Sequence, residues 1–123
     1  MNCEGCSVCR VDNLADGNFF VTFSVREQLE ELLKRPDVKT VSRLDRIDGR
    51  IADILDGALY KNVFEDLDPV CENALSITFN TDGVAVWSGP RGSMWPILYV
   101  INELVPQIRF KPESTLLCAL FYG

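Results

Sequence analysis

Three cysteines open the chain at intervals of three, Cys3, Cys6 and Cys9. A C-x-x-C knuckle lets two thiolates reach one ion about 2.3 Å away, and soft thiolates suit zinc, so these are candidate zinc ligands. A structural zinc takes four protein ligands, whereas Cys71 and Cys118 are isolated in or near apolar segments. An iron–sulfur run would want a fourth cysteine soon after Cys9, followed by proline. No histidine occurs, which removes every His-containing metal site and both Ser-His-Asp and Cys-His nucleophilic catalysis. The alternative for the three cysteines is a reduced N-terminal segment, the remnant of a longer zinc module.

A second constellation is Asn80-Thr81-Asp82-Gly83. An aspartate at the end of a strand, with glycine beside it, can hold Mg²⁺ or Mn²⁺ and leave room for a phosphate. Such sites need two or three converging acids, and beyond residue 73 only Glu103 and Glu113 remain. Asp-Gly between Ile77-Thr-Phe79 and Val84-Ala-Val86 also reads as a hairpin turn. Asp53 and Asp56 share one side of a helix with Tyr60 nearby, where they chelate a cation, bind a partner or form a solvated face. Trp87, Trp95 and Tyr99 are either base-stacking platforms or, at strand spacing in an apolar half, core residues.

The elements that position these residues follow from periodicity. Phe19 to Phe23 is a short apolar strand. Ser24 and Glu27 form a capping box for a helix with Val25, Leu29, Leu32 and Leu33 on one face, supported by Glu30–Lys34 and Glu31–Arg35 pairs and stopped by Pro36. A second helix is expected within 46–63, where Ile47, Ile51, Ile54, Leu55 and Leu59 form a stripe. Beyond Cys71 the period becomes two. Leu75, Ile77 and Phe79 alternate with Ser76, Thr78, Asn80 and Asp82, so Asp82 ends the polar face of a strand. A strand from Trp95 or Ile97 to Asn102 and a buried strand from Thr115 to Tyr122 complete the pattern. The expected fold class is α+β: an N-terminal Cys-rich loop and two helices, then a three-stranded antiparallel β-meander. The expected units are 1–23, 24–72 and 73–123, with a linker around Pro69.

Composition bounds the function. The 123 residues suffice for one compact domain, or two small pieces sharing a core. The net charge of −6 argues against a general nucleic-acid binder. That charge belongs to residues 1–72, with fifteen acids and nine bases, while residues 73–123 hold three of each. The longest apolar runs fall far short of the roughly 20 residues of a membrane-spanning helix. No secretory signal opens the sequence, so a nuclear or cytoplasmic, non-secreted protein without disulfides is expected.

Several strings resemble one family. Leu75-Ser-Ile-Thr-Phe-Asn-Thr-Asp-Gly-Val84, Ser93-Met-Trp-Pro-Ile97, Ile101-Asn-Glu-Leu104, Arg109-Phe110 and Leu120-Phe-Tyr-Gly123 together resemble the start of the catalytic domain of CACTA-type (En/Spm) DNA transposases and their transposon-derived relatives. Ile51-Ala-Asp-Ile-Leu-Asp-Gly-Ala-Leu-Tyr60 is similar to a motif upstream of that domain, Phe19 to Leu33 to its preceding strand and helix, and Cys3-x-x-Cys6 to half of a zinc module. The resemblance implies an RNase H-like core acting on DNA, with Asp82 the first of three carboxylates binding two Mg²⁺ or Mn²⁺ ions. It thereby favours the metal-ligand reading of Asp82 over the turn.

In that family further strands and helices deliver the second aspartate and the final acid, and this sequence reaches Gly123 before either. The expectation is therefore a fragment or remnant of a transposase-like protein, inactive alone, with weak or no DNA contact of its own. The rival is a non-enzymatic interaction module, or a small zinc-binding module. The interaction module would self-associate through an exposed sheet edge, with Leu116, Leu117, Leu120 and Phe121 left uncovered.

Overall fold

A computed structural model describes residues 9–40, 50–67, 74–86 and 92–123. The architecture is α+β: among the described residues there are three helices and one antiparallel sheet of six strands. β1 (Cys9–Asn13) and β2 (Phe19–Phe23) form a hairpin. Asp16 and Gly17 in the connecting turn take φ of 61° and 79°, the left-handed region that Gly, and more rarely Asp, tolerates.

α1 (Val25–Lys34) starts as its sequence predicts, with Ser24 Oγ accepting from the Glu27 N–H at 3.3 Å. Arg35 leaves the helical region, as a residue before proline must. The surface ion pairs differ from the expected i,i+4 set. Lys34 bonds Glu31 at 2.9 Å, and Arg35 turns to Asp37 at 2.7 Å. Arg35 also donates to the Glu113 carbonyl at 2.8 Å, tying the end of α1 to a distant loop.

The second helix starts later than its apolar stripe predicts. A single 3-10 turn, Ile54–Asp56, precedes α2 (Ala58–Leu67), and extended Gly57 separates them. The break is built from the aspartates: Asp53 caps the turn and Asp56 reaches back to the Ala52 and Asp53 N–H groups. The stretch 46–49 lies outside the described residues, as do Cys71 and Trp87.

β3 (Ile77–Thr81), β5 (Ser93–Ile101) and β6 (Leu116–Tyr122) form the expected meander, with β4 (Val84–Ala85) also on β5. The connection after β5 contains α3 (Pro106–Arg109) and the 3-10 turn Pro112–Ser114. The spatial order is β1-β2-β6-β5-β3. Here one expectation is corrected. Leu116, Leu117, Leu120 and Phe121 are not an uncovered edge, because β6 is the central strand, hydrogen-bonded to β2 on one side and β5 on the other. All four are buried or half-buried.

Leu32 of α1 packs with Tyr99, Ile101, Leu104, Ile108 and Leu116 in the core. The β5–β6 register shifts between Ile97 and Leu98. Beyond the end of β2, the Gln28 side-chain amide takes the place of a strand. It donates to the Leu117 carbonyl at 2.8 Å and accepts from the Leu117 N–H at 3.0 Å.

Candidate functional site

Asp82 lies between β3 and β4, and the two strands keep one register along β5: Thr81 faces Ile97 and Val84 faces Met94. Asp82 and Gly83 therefore lie opposite Pro96 and Trp95. This corrects the hairpin-turn reading, since the chain runs straight through Asp-Gly and reverses only after β4. The interruption has a cause across the sheet. The Asn102 N–H donates to Ser76 O at 3.0 Å, so even-numbered residues of this strand turn their backbone groups to β5. Asp82 falls in that phase, and Pro96 has no N–H to give it.

Gly83 is required by its neighbour. A Cβ there would stand 2.7 Å from Cζ2 of the Trp95 indole, which covers the glycine. Trp95 itself is 41% exposed, so it is a lid on the strand rather than a core residue, whereas Tyr99 is buried. The Asp82 carboxylate is exposed. Among the described residues no hydrogen bond or ion pair engages it, and no three acids or cysteines gather into a metal-holding group. One carboxylate does not make a two-metal site.

The acid nearest to this strand's polar row is at its far end. Glu103, 2% exposed, accepts from Tyr60 Oη at 2.7 Å, Ser76 N–H at 2.9 Å and Ser76 Oγ at 2.8 Å. Asn102 extends the network, donating to Ser76 Oγ at 3.0 Å and accepting from Thr78 Oγ1 at 2.9 Å. From Ser76 to Asp82 the strand spans about 20 Å, so Glu103 and Asp82 cannot share a metal ion. Glu103 instead locks α2 to the start of β3.

Asp53 and Asp56 are likewise committed within the fold. The Asp53 carboxylate receives a two-pronged bond from Arg109, at 2.6 and 2.8 Å, and Arg109 also donates to the Leu104 carbonyl through Nε and Nη2. Arg109 is 3% exposed. The predicted cation-chelating or solvated pair is thus a capping pair, with one member neutralising a buried guanidinium. Around it lies an open cleft of about 970 Å³, bordered by Ile54, Leu59, Tyr60, Phe64, Thr78 and Phe110 among others.

Of the three candidate zinc ligands, Cys3 and Cys6 lie outside the described residues. Cys9 is half-buried at the start of β1, opposite Phe23. Sequence reasoning did not single out Glu103 or Arg109 on physical grounds. The available signal was their isolation: each is one of only three acids or three bases in residues 73–123, set among apolar neighbours.

Compared with known proteins, the chain matches no protein-family model, no curated protein and no solved structure. No helix among the described residues is long and apolar enough to cross a membrane.

Proposed function

We propose that this chain is the N-terminal part of a transposase-like, RNase H-like catalytic core, in which Asp82 supplies the first of the carboxylates that act on DNA. The segment builds and positions that carboxylate but does not complete the site. One observation carries the reading. Asp82 stands exposed on the polar row of the first strand of an antiparallel β3–β5–β6 meander, at a point where Pro96 opens the ladder beside it. A strand interior that must only be stable has no use for that gap. The strings around Asp82, Trp95, Asn102 and Arg109 that resemble the family run along β3, β5 and α3, and their resemblance supports the reading.

The internal bonding of Glu103 and of Asp53 supports the same division of labour, because among the described residues it leaves Asp82 as the acid without a side-chain bond beside β5 and assigns those two to the scaffold. The further acids must then come from elements beyond those described. The test is complementation: the chain is co-refolded with the downstream part of a CACTA-type catalytic domain and assayed for Mn²⁺-dependent nicking of supercoiled plasmid. The pair should nick and the chain alone should not, and Asp82→Asn should abolish the activity of the pair. Nicking by the chain alone that depends on Asp82 would refute the incomplete site. Activity in the pair that ignores Asp82 would refute its role.

A further inference from the structure

Among the described residues the sheet has two edges, β1 on one side and β3 continued by β4 on the other, and they are built differently. β1 carries Arg10 and Asp12, paired at 3.0 Å, on a five-residue strand, an arrangement that discourages a further strand. β3 has no such guard. Among the described residues no strand pairs with its outer side. Its side chains are all exposed, including Ile77 at 56% and Phe79 at 68%. From Ala74 to Val86 the only charged residue is Asp82.

The phase of the ladder says which backbone groups face outward. Asn102 bonds to Ser76, and on the other side of β5 Ser93 exchanges two bonds with Gly123, at 2.8 and 3.1 Å. Both observations turn the even-numbered residues of β5 and β3 toward each other. The N–H and C=O groups of Ile77, Phe79 and Thr81 therefore point away from the sheet. Strand β3 spans Ile77–Thr81, so these three are spaced symmetrically about Phe79.

We propose that β3 is a homodimerisation edge, at which two copies of the chain pair antiparallel about a two-fold axis through Phe79. In that register Phe79 meets Phe79 of the second copy, and Ile77 lies opposite Thr81 of the second copy. All three outward-facing residues then form hydrogen-bonded pairs at once. On the other face Thr78 meets Asn80 of the second copy, and Asp82 meets Ser76, so no like charges are opposed. A second copy is the occupant because the strand is self-complementary about its own midpoint. It is also the neutral part of a molecule of net charge −6, the place where two copies repel least. An isologous contact of this kind closes at two copies and does not propagate.

Sedimentation velocity over a concentration series, up to about 100 μM, tests this with the full chain. Wild type should pass from monomer to dimer. Phe79→Lys should remain monomeric, with the thermal midpoint that wild type shows at concentrations where it is itself monomeric. Thr81→Pro, which deletes an outward N–H and no bond within the sheet, should do the same. Leu14→Lys, in the exposed turn between β1 and β2 at the opposite edge of the sheet, should leave the dimer intact. Phe79→Cys should form a disulfide-linked dimer through position 79, because hydrogen-bonded antiparallel partners hold their Cα atoms about 5.5 Å apart. A wild-type monomer throughout the series would overturn the proposal. So would a dimer that survives both β3 substitutions, or one that Leu14→Lys dissolves, since either places the contact elsewhere.

Discussion

Arg109 and Tyr99 are both buried, and the difference between them is whether their polar atoms are matched. The Arg109 guanidinium has two bonds to Asp53 and two to the Leu104 carbonyl. Removing one member of such a pair leaves a buried charge uncompensated, so Arg109→Met should cost about 3–5 kcal/mol in urea denaturation. Adding Asp53→Asn, which keeps an oxygen for the Ile54 cap, should recover part of that loss, and a double mutant no better than the single would deny the pairing. Tyr99 is the opposite case, because its hydroxyl is buried and has no hydrogen-bond partner among the described residues. Burial, and to a lesser degree the Cys118 thiol, push its pKa above 10. The unfolded chain therefore loses this proton first, and stability falls as pH rises above about 10. Tyr99→Phe should stabilise the protein by about 1 kcal/mol at neutral pH. It should also flatten that part of the alkaline decline that Tyr99 contributes. A destabilised Tyr99→Phe variant would show that the hydroxyl has a partner after all.

Strands and helices succeed or fail here according to whether their determinants are local. The N-cap at Ser24, the stop at Pro36 and the period of two from Ser76 to Asp82 act within a few residues, and each was legible in the sequence. The collinearity of β3 and β4 was not, because Asp-Gly reads locally as a turn, whereas both flanking strands pair with a distant one, β5, in a single register. The late start of α2 was hidden for a related reason: Asp53 and Asp56 read as a helical i,i+3 pair, while Arg109, 56 residues away, draws Asp53 into a cap. Of the candidate site, the polar row and Asp82 at its end were legible. The burial of Glu103 was not, since its three donors come from Tyr60 and Ser76. Two substitutions probe these long-range supports. Gly83→Ala must displace the Trp95 indole or bend the strand, and should cost about 1–3 kcal/mol with a change in Trp fluorescence. Gln28→Ala strips both bonds from the Leu117 backbone and should cost about 1–3 kcal/mol. Faster amide exchange at Leu117 should accompany it.

The molecule as a whole is organised across its compositional boundary. The acidic first part supplies β1, β2, α1 and α2, while the neutral second part supplies the meander, yet β2 lies directly on β6 from Phe19–Tyr122 to Thr22–Ala119. The Phe19 and Tyr122 rings stack at 5.1 Å across that seam. Without the hairpin, β6 would become an outer strand with Leu120, Phe121 and Tyr122 losing their neighbours on one side, a long apolar edge of the kind that aggregates. With it, the sheet has six strands and two helices tied in by Gln28 and by Glu103, enough for independent stability. The 123-residue chain should therefore unfold in a single transition, with far-UV and near-UV signals coincident in denaturant. Deleting residues 1–23 should remove that cooperative transition or drive the protein into aggregates. If the truncated chain instead unfolds at the same midpoint, residues 73–123 fold without the hairpin, and the seam between β2 and β6 is a contact between separate units rather than the middle of one sheet.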